Sequence, residues 1–317
     1  MPLPFSPTIL EHAAATINQT PSACALNAAL LAQAHITAYH QYHPATVTIG
    51  MDIYNIEAEA LGCTVRFYTD NSIPGIVTRP QNPTIQFSKS LGRIQLLLNA
   101  AAQVKSELNT QTTVSIAICG PFSILIELLG FETALDNFYD QPDHTHHLLH
   151  QLLNFQKAYC AQITALGLGA VVFESWASPP LVSPAMYREF ALPYETQLFA
   201  HMKELGLPAC PLVIGGDTSN IADDMLTSGA TTLLSDYNTP LNLYIQKARE
   251  KNLPVRANID PKLLLAGDWQ QITNRVQEIY TAAKEYPKLI IGSGVVPYDT
   301  PPANLLRVKE IIKECDV

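Results

Sequence analysis

Apolar residues in this chain come in two textures. Short runs are apolar almost throughout: "ATVTIGMD" (45–52), "TVSIAIC" (113–119), "GAVVFES" (169–175), "ACPLVIG" (209–215), "TTLLSD" (231–236), "PVRANID" (254–260) and "KLIIGSG" (288–294). Between them lie segments whose apolar positions recur at helical spacing, predicting helices over "IEAEALGC", "SKSLGRIQLLLNAAAQVKSEL", a long region ending near Leu166, and 184–205, 219–228, 240–251, 268–286 and the stretch after Pro302. Strands buried on both faces and separated by amphipathic helices describe a parallel sheet covered by helices. Residues 1–44 read as two helices, Pro7 to about Ile17 and Ser22 to about Tyr42, forming an N-terminal segment packed on the sheet-and-helix body. "TVRFYT" (64–69) reads as a further short strand and "IPGIVTRPQNPTI" as a Pro-rich loop.

No GxGxxG follows the first strand and no GxxxxGK[ST] occurs, so the pattern favours a closed (β/α)8 TIM barrel over an open dinucleotide-binding sheet. The 317 residues suit one barrel, spanning 45–317, which needs roughly 250 residues plus decoration. With 47% apolar and 15% charged residues a large core is expected. A net charge of −9 disfavours nucleic acid or an anionic membrane as partner, since both reward clustered Lys and Arg. Six scattered cysteines without a CxxC pair, no long apolar run and no signal-like N-terminus predict a soluble cytoplasmic protein with reduced thiols and a small-molecule substrate.

In a barrel the site lies at the strand C-termini. Those ends read Asp52, then Cys119-Gly120-Pro121, Glu174-Ser175-Trp176, Gly215-Gly216-Asp217, Asp236-Tyr237, Asn258 to Asp260, and Ser293. Strand ends are also polar because helix N-caps come after them, and Asp217, just before Thr218 and Ser219, fits either reading. Asp52 follows an apolar strand and precedes Glu57 by five residues, which points to function. All nine histidines lie at or before His201. His146 and His150 in "DHTHHLLH" have the spacing of two ligands on one helix face, but without HExxH a solvated helix end is the better reading. Cys119 and Cys210 read as packed small residues.

Five segments, "GMDIYNIEAEALGC", "GPFSILIELLG", "FESWASPPLVSPAMYREFALPY", "NIDPKLLL" and "GSGVVPYDTPPANL", keep the order used by the uroporphyrinogen decarboxylase superfamily, which the chain resembles from about residue 45 onward. That superfamily includes decarboxylases of haem biosynthesis and methyltransferases that move methyl groups between corrinoid proteins and thiols. The resemblance implies a (β/α)8 barrel with a deep cleft. It equates Asp52 with the aspartate that faces the substrate pyrroles of the decarboxylases, and Ser175 with their "ESWA"-type serine. Their arginine-rich "MRQAGR" strand has no counterpart before residue 45; their tyrosine becomes Glu127 and their late histidine becomes Ser293. A first strand is likewise missing from residues 1–44, so the barrel is expected to be incomplete or atypical at that edge, or filled by a segment near Cys24. An open edge would invite pairing in a homodimer.

The methyltransferases of the superfamily hold zinc through HxC after the fifth strand and a late cysteine. Those positions are Val213, Gly215 and Ser293 here, so zinc is not expected, nor any tightly bound cofactor. The resemblance implies a corrinoid-linked, methyltransferase-like enzyme acting on a non-thiol substrate, with methylcobamide as co-substrate and a corrinoid protein as partner. Decarboxylation of a tetrapyrrole is the first alternative. A non-catalytic tetrapyrrole- or corrinoid-binding relic is the second. Asp52, Glu174, Ser175 and Asp236 are the expected catalytic residues. Glu57, Glu127, Gly215, Gly216, Asp217, Tyr237, Asn258 and Ser293 are the expected substrate contacts.

Overall fold

The computed structural model describes residues 2–179, 181–207 and 209–316. Its strands are β1 (Phe5–Thr8), β2 (Thr46–Ile49), β3 (Thr64–Arg66), β4 (Gly75–Thr78), β5 (Thr113–Cys119), β6 (Gly169–Phe173), β7 (Leu212–Val213), β8 (Leu233–Ser235), β9 (Val255–Ile259) and β10 (Leu289–Val295). Eight of them form two parallel sheets, ordered β1-β10-β9-β8 and β2-β5-β6-β7. The sheets meet at two seams. At one, Ala45 N donates to Phe5 O at 2.8 Å and Ser6 Oγ meets Thr46 Oγ1 at 2.7 Å. At the other, Thr231 N donates to Cys210 O at 3.1 Å and Cys210 N to Thr231 Oγ1 at 2.7 Å. The result is the (β/α)8 barrel.

Two expectations for the N-terminus are corrected. Residues 5–8 are the missing first strand, not the start of a helix, and residues 1–44 are therefore not a purely helical layer. The misreading has a cause in Pro7, which resembles the first position of a helix. In the strand its missing N–H falls where the ladder slips between Ser6 and Thr8, so no hydrogen bond is lost. With β1 in place, the open edge that would invite a partner strand is closed. The helix expected over 22–42 is two, Pro21–Ala25 and Ala28–Tyr42, because Asn27 Oδ1 caps the second by accepting from Ala29 N and Leu30 N. The long helical region after β5 is likewise three helices, Pro121–Leu129, Phe131–Asp140 and Pro142–Ala165; the first two part at Gly130, with φ of 81°. β3 pairs antiparallel with β4 outside the barrel, and β4 lies within the stretch expected to be loop.

The core has two compartments. Ile116, Ile118, Ala170, Val172, Leu212, Ile214, Val255, Ala257 and Ile259 are buried in the large cluster that joins the strands to the surrounding helices. Ala117, Val171 and Phe173 form a separate cluster, with Ile53, Tyr54 and Val213 packed on it. Successive strand residues therefore alternate between the helix layer and the barrel interior, as the two-residue period of a strand requires.

Candidate functional site

That alternation, continued past the strand ends, decides which polar groups face the interior. A cavity of about 210 Å³ opens there, and its wall includes Phe173 and Ser175, Val213 and Gly215, Leu234 and Asp236, and Arg256 and Asn258, every second residue on four consecutive strands. Thr8, Ile53, Tyr54 and Ser293 to Val295 complete the wall. Hydrogen bonds join the strand ends laterally. Gly215 N donates to Ser175 Oγ at 3.2 Å, Gly216 N to Asp236 Oδ2 at 2.8 Å, and Asn258 Nδ2 to Asp236 Oδ1 at 2.9 Å. Gly216 has a positive φ of 84°, which aims its N–H at the carboxylate. Arg256 Nη2 donates to Thr8 Oγ1 at 2.5 Å and Ser293 O at 2.9 Å. Burial lowers the Arg256 pKa to about 10, against the opposing pull of Asp236, and still leaves it a cation at neutral pH.

Of the residues singled out in the sequence, the cavity thus collects Ser175, Gly215, Asp236, Asn258 and Ser293. Gly216 serves it indirectly through Asp236. The other six stand elsewhere. Asp52 is buried and gripped from behind: Arg93 donates from Nη1 to Oδ1 at 2.9 Å and from Nη2 to Oδ2 at 2.7 Å, and Asn55 Nδ2 adds a bond at 3.0 Å. Arg93 also pairs with Glu59 at 2.6 Å, and Asp52 is not part of the cavity wall. Glu57 turns to the helix layer, accepting from Cys119 N at 2.9 Å, Cys119 Sγ at 3.3 Å and Gln156 Nε2 at 3.1 Å; burial pushes its pKa up.

Glu174 has the opposite parity to Ser175 and lies fully buried behind the wall, where Oε1 accepts from Ser123 N at 2.5 Å and Oε2 has no partner. Burial raises its pKa to about 7. Gly120 is glycine because a Cβ there would fall inside this carboxylate. Glu127 binds Trp176 Nε1 at 2.7 Å and stands 3.9 Å from Arg79 Nη2, outside the cavity, with burial raising its pKa. Asp217 is exposed and accepts from Ser219 N at 3.0 Å and Ser219 Oγ at 2.6 Å, an Asx turn just before the next helical turn. Tyr237, next to inward-facing Asp236, does not line the cavity.

Three polar wall residues, Thr8, Tyr54 and Arg256, were not among the candidates. Thr8 sits on the unrecognised strand. Tyr54 enters because the loop after β2 turns through a positive φ of 77° there, and its hydroxyl accepts from Ser175 N at 3.2 Å. Arg256 did leave a signal: an arginine inside "PVRANID", two residues before Asn258, has the parity of the interior. The histidine cluster makes no site. His144, His147 and His150 are exposed, and His146 shares a 2.7 Å hydrogen bond with Tyr194 and stacks on Phe190 at 4.8 Å.

Fold and interior cavity together define a (β/α)8 barrel whose polar cavity-facing groups stand at the strand C-termini. A sequence model of the uroporphyrinogen decarboxylase (URO-D) family matches residues 3–315, and the chain belongs to that family. It is 27% identical over 282 residues to uroporphyrinogen decarboxylase of Chlorobaculum parvum, covering 84% of this chain and 75% of that protein. It is 25% identical over 275 residues to the methylcobamide:CoM methyltransferase MtbA of Methanosarcina mazei, covering 84% and 79%. Matches to some other uroporphyrinogen decarboxylases span about half the length of those proteins. A methyltransferase structure from Methanosarcina mazei superposes with a TM-score of 0.86 at 17% identity, over 100% of this chain and 95% of that one, which establishes the shared fold. No helix among the described residues is long and apolar enough to cross a membrane.

The positions that the resemblance equates with zinc ligands, Val213, Gly215 and Ser293, do meet at one cavity. They offer no thiolate or imidazole, and the Ser293 hydroxyl is engaged with Gly294 O at 2.7 Å. Among the described residues no group of three or more His, Cys, Asp or Glu side chains is placed to hold a metal ion. The donor set does not fit zinc.

Proposed function

We propose that the chain is an enzyme that transfers a methyl group between a corrinoid and a small, non-thiol molecule bound in the barrel cavity. The observation that carries this reading is the inward-facing set Ser175, Asp236, Arg256 and Asn258, standing around a glycine where related methyltransferases are expected to place a metal ligand. In such a site Asp236 is the group that takes or holds a proton or positive charge on the substrate, while Arg256 and the Ser175 and Tyr54 hydroxyls supply donors. No step needs a metal-bound thiolate. A corrinoid protein is the macromolecular partner this reading implies, approaching the open end of the barrel.

Decarboxylation of a tetrapyrrole is the second reading, favoured by the 27% identity to a uroporphyrinogen decarboxylase. Against it stands Asp52. A carboxylate held by both guanidinium nitrogens of Arg93 is not free to receive pyrrole N–H groups. A cavity of about 210 Å³ with a single arginine also suits a ligand far smaller than a polycarboxylate macrocycle.

The test is methylcobalamin titration followed by absorbance, with metal content measured on the same sample. A spectral change without stoichiometric zinc is the expected result. Stoichiometric zinc would return thiol methylation to first place. Carbon dioxide release from uroporphyrinogen, with no response to methylcobalamin, would overturn the proposal in favour of the second reading.

A further inference from the structure

Two charges of opposite sign face this one cavity, and neither is spent on the other. Asp236 takes its hydrogen bonds from Gly216 N and Asn258 Nδ2, which leaves lone pairs on both oxygens. Arg256 gives Nη2 to Thr8 and Ser293, while its Nε is buried without a partner. Asn258 is 3% exposed and its Oδ1, a buried acceptor, also lacks a partner. Both orphan atoms pack over Gly292, where a Cβ would collide with Nε and come within 2.6 Å of Oδ1, so a ligand is met by the guanidinium edge that faces the cavity. The two charges also stand on different sides of β9. Arg256 leaves β9 two residues before Asn258, but its guanidinium climbs towards β10 and β1 to reach Ser293 O and Thr8 Oγ1. Asp236, bonded to Asn258, stands on the β8 side.

The apolar part of the wall adds a third requirement. The rings of Tyr54 and Phe173, with Val213 and Leu234, line the same space, and aromatic faces next to a carboxylate favour a cation that carries methyl groups. Above Gly215 the space is free: a Cβ there would lie 3.7 Å from both Asp236 Oδ2 and Ser175 Oγ.

We infer that the cavity binds a small zwitterion, an N-methylated amino acid, with its carboxylate on Arg256 and its ammonium at Asp236 between the aromatic rings. This rests on the methyltransferase reading only for the methyl-transfer step. In that step the N–CH3 bond breaks with its electron pair left on nitrogen, and a reduced cob(I)amide supplies the pair that forms the Co–CH3 bond. The ammonium becomes a neutral amine and no proton moves.

The experiment is calorimetric titration of the full chain, without corrinoid, with three probes: trimethylglycine, tetramethylammonium and acetate. Trimethylglycine is expected to bind at least about tenfold more tightly than either half, since each charged contact is worth about a factor of ten or more. Arg256→Gln is expected to remove that advantage while leaving tetramethylammonium binding unchanged; Asp236→Asn is expected to weaken both ammonium probes. Should the Arg256 variant fail to fold, the three-probe series on the natural chain decides alone. Trimethylglycine binding no tighter than its halves, or an Arg256→Gln variant that binds it equally well, overturns the inference. Trimethylglycine binding with no methyl transfer to cob(I)alamin upholds the zwitterion site and removes the methyltransferase reading. Methyl transfer from other donors by a protein that ignores trimethylglycine does the reverse.

Discussion

The two half-barrels treat their acidic residues in opposite ways. On the half built from β2, β5, β6 and β7, Asp52, Glu57 and Glu174 are all buried and all held from outside the cavity, by Arg93, by Cys119 with Gln156, and by Ser123 N. On the half built from β1, β8, β9 and β10, Asp236 meets its partners within the wall and keeps an open face to the interior. Asp52, Glu174 and Asp236 all follow strand C-termini closely, where barrel enzymes keep their chemistry. Position along the strand is therefore a weak guide. What separates an anchor from a site is the side of the sheet on which the carboxylate's partners lie.

The largest effect expected from this contrast is at Arg93. Its guanidinium is buried between Asp52 and Glu59, with Phe67 against its face at 4.9 Å. Arg93→Met leaves a buried carboxylate without its cation, which costs about 3–5 kcal/mol. A urea melt should show that loss in the midpoint. Ligand affinity of the folded fraction should be unaffected, because Asp52 does not line the cavity. If instead stability hardly changes and binding fails, Asp52 belongs to the site and the contrast collapses.

Next in size is Glu174→Gln. The folded-state pKa is raised from 4.5 to about 7 by burial, so folding favours the protonated acid. That contribution is fully present below about pH 4.5 and is lost as pH rises through about 7. A shift of that size amounts to something on the order of 3 kcal/mol, and glutamine, which stays neutral, escapes the loss. The variant should gain on the natural chain as pH goes from about 4 to about 8, read as the difference between their melting temperatures. A difference independent of pH would show that Glu174 is ionised in the fold, and would reopen its candidacy as a catalytic base.

Much of this is legible in the chain. The alternation of apolar strands with helices specifies the barrel, and five of the ten candidate residues chosen from strand ends line its cavity. The other five, Asp52, Glu174, Gly216, Asp217 and Tyr237, do not line it, because strand ends read as points carry no parity. Glu174 and Ser175 are consecutive, so an extended backbone sends them to opposite faces, and Phe173 already marks the interior. The same rule applied to "PVRANID" selects Arg256 with Asn258. Other features have no local signature. Nothing in the sequence announces that Arg93, 41 residues away, will neutralise Asp52, or that Tyr54 will take a left-handed conformation. β1 is hidden by its own proline, whose missing N–H matters only once β10 is beside it.

Asp236→Asn tests the other half. Both oxygens accept hydrogen bonds, so an amide loses at most one of them, at a cost of about 1 kcal/mol. Turnover should fall far more than stability, by a factor of at least about a hundred if the carboxylate holds charge in the transition state. Comparable losses of kcat/KM in Asp236→Asn and Asp52→Asn, at equal stability, would erase the distinction between the two halves.

The smallest change is also the most discriminating, because it compares neighbours. Gly215 has an ordinary φ, and an added methyl would meet only Asp236 Oδ2 and Ser175 Oγ at a comfortable 3.7 Å. Gly216 has φ of 84°, and a methyl there would crowd Ser178 Oγ at 2.9 Å. Gly216→Ala should therefore cost about 1–2 kcal/mol through backbone strain. Gly215→Ala should be neutral, or stabilising by up to about 1 kcal/mol through a less flexible unfolded chain, while its methyl intrudes on the ligand space beside Asp236. The expected pattern is a crossed one: lower melting temperature for Gly216→Ala, weaker trimethylglycine binding at unchanged melting temperature for Gly215→Ala. If Gly215→Ala binds as well as the natural chain, the space above residue 215 holds no ligand, and the absence of a side chain there serves only the close lateral bond to Ser175.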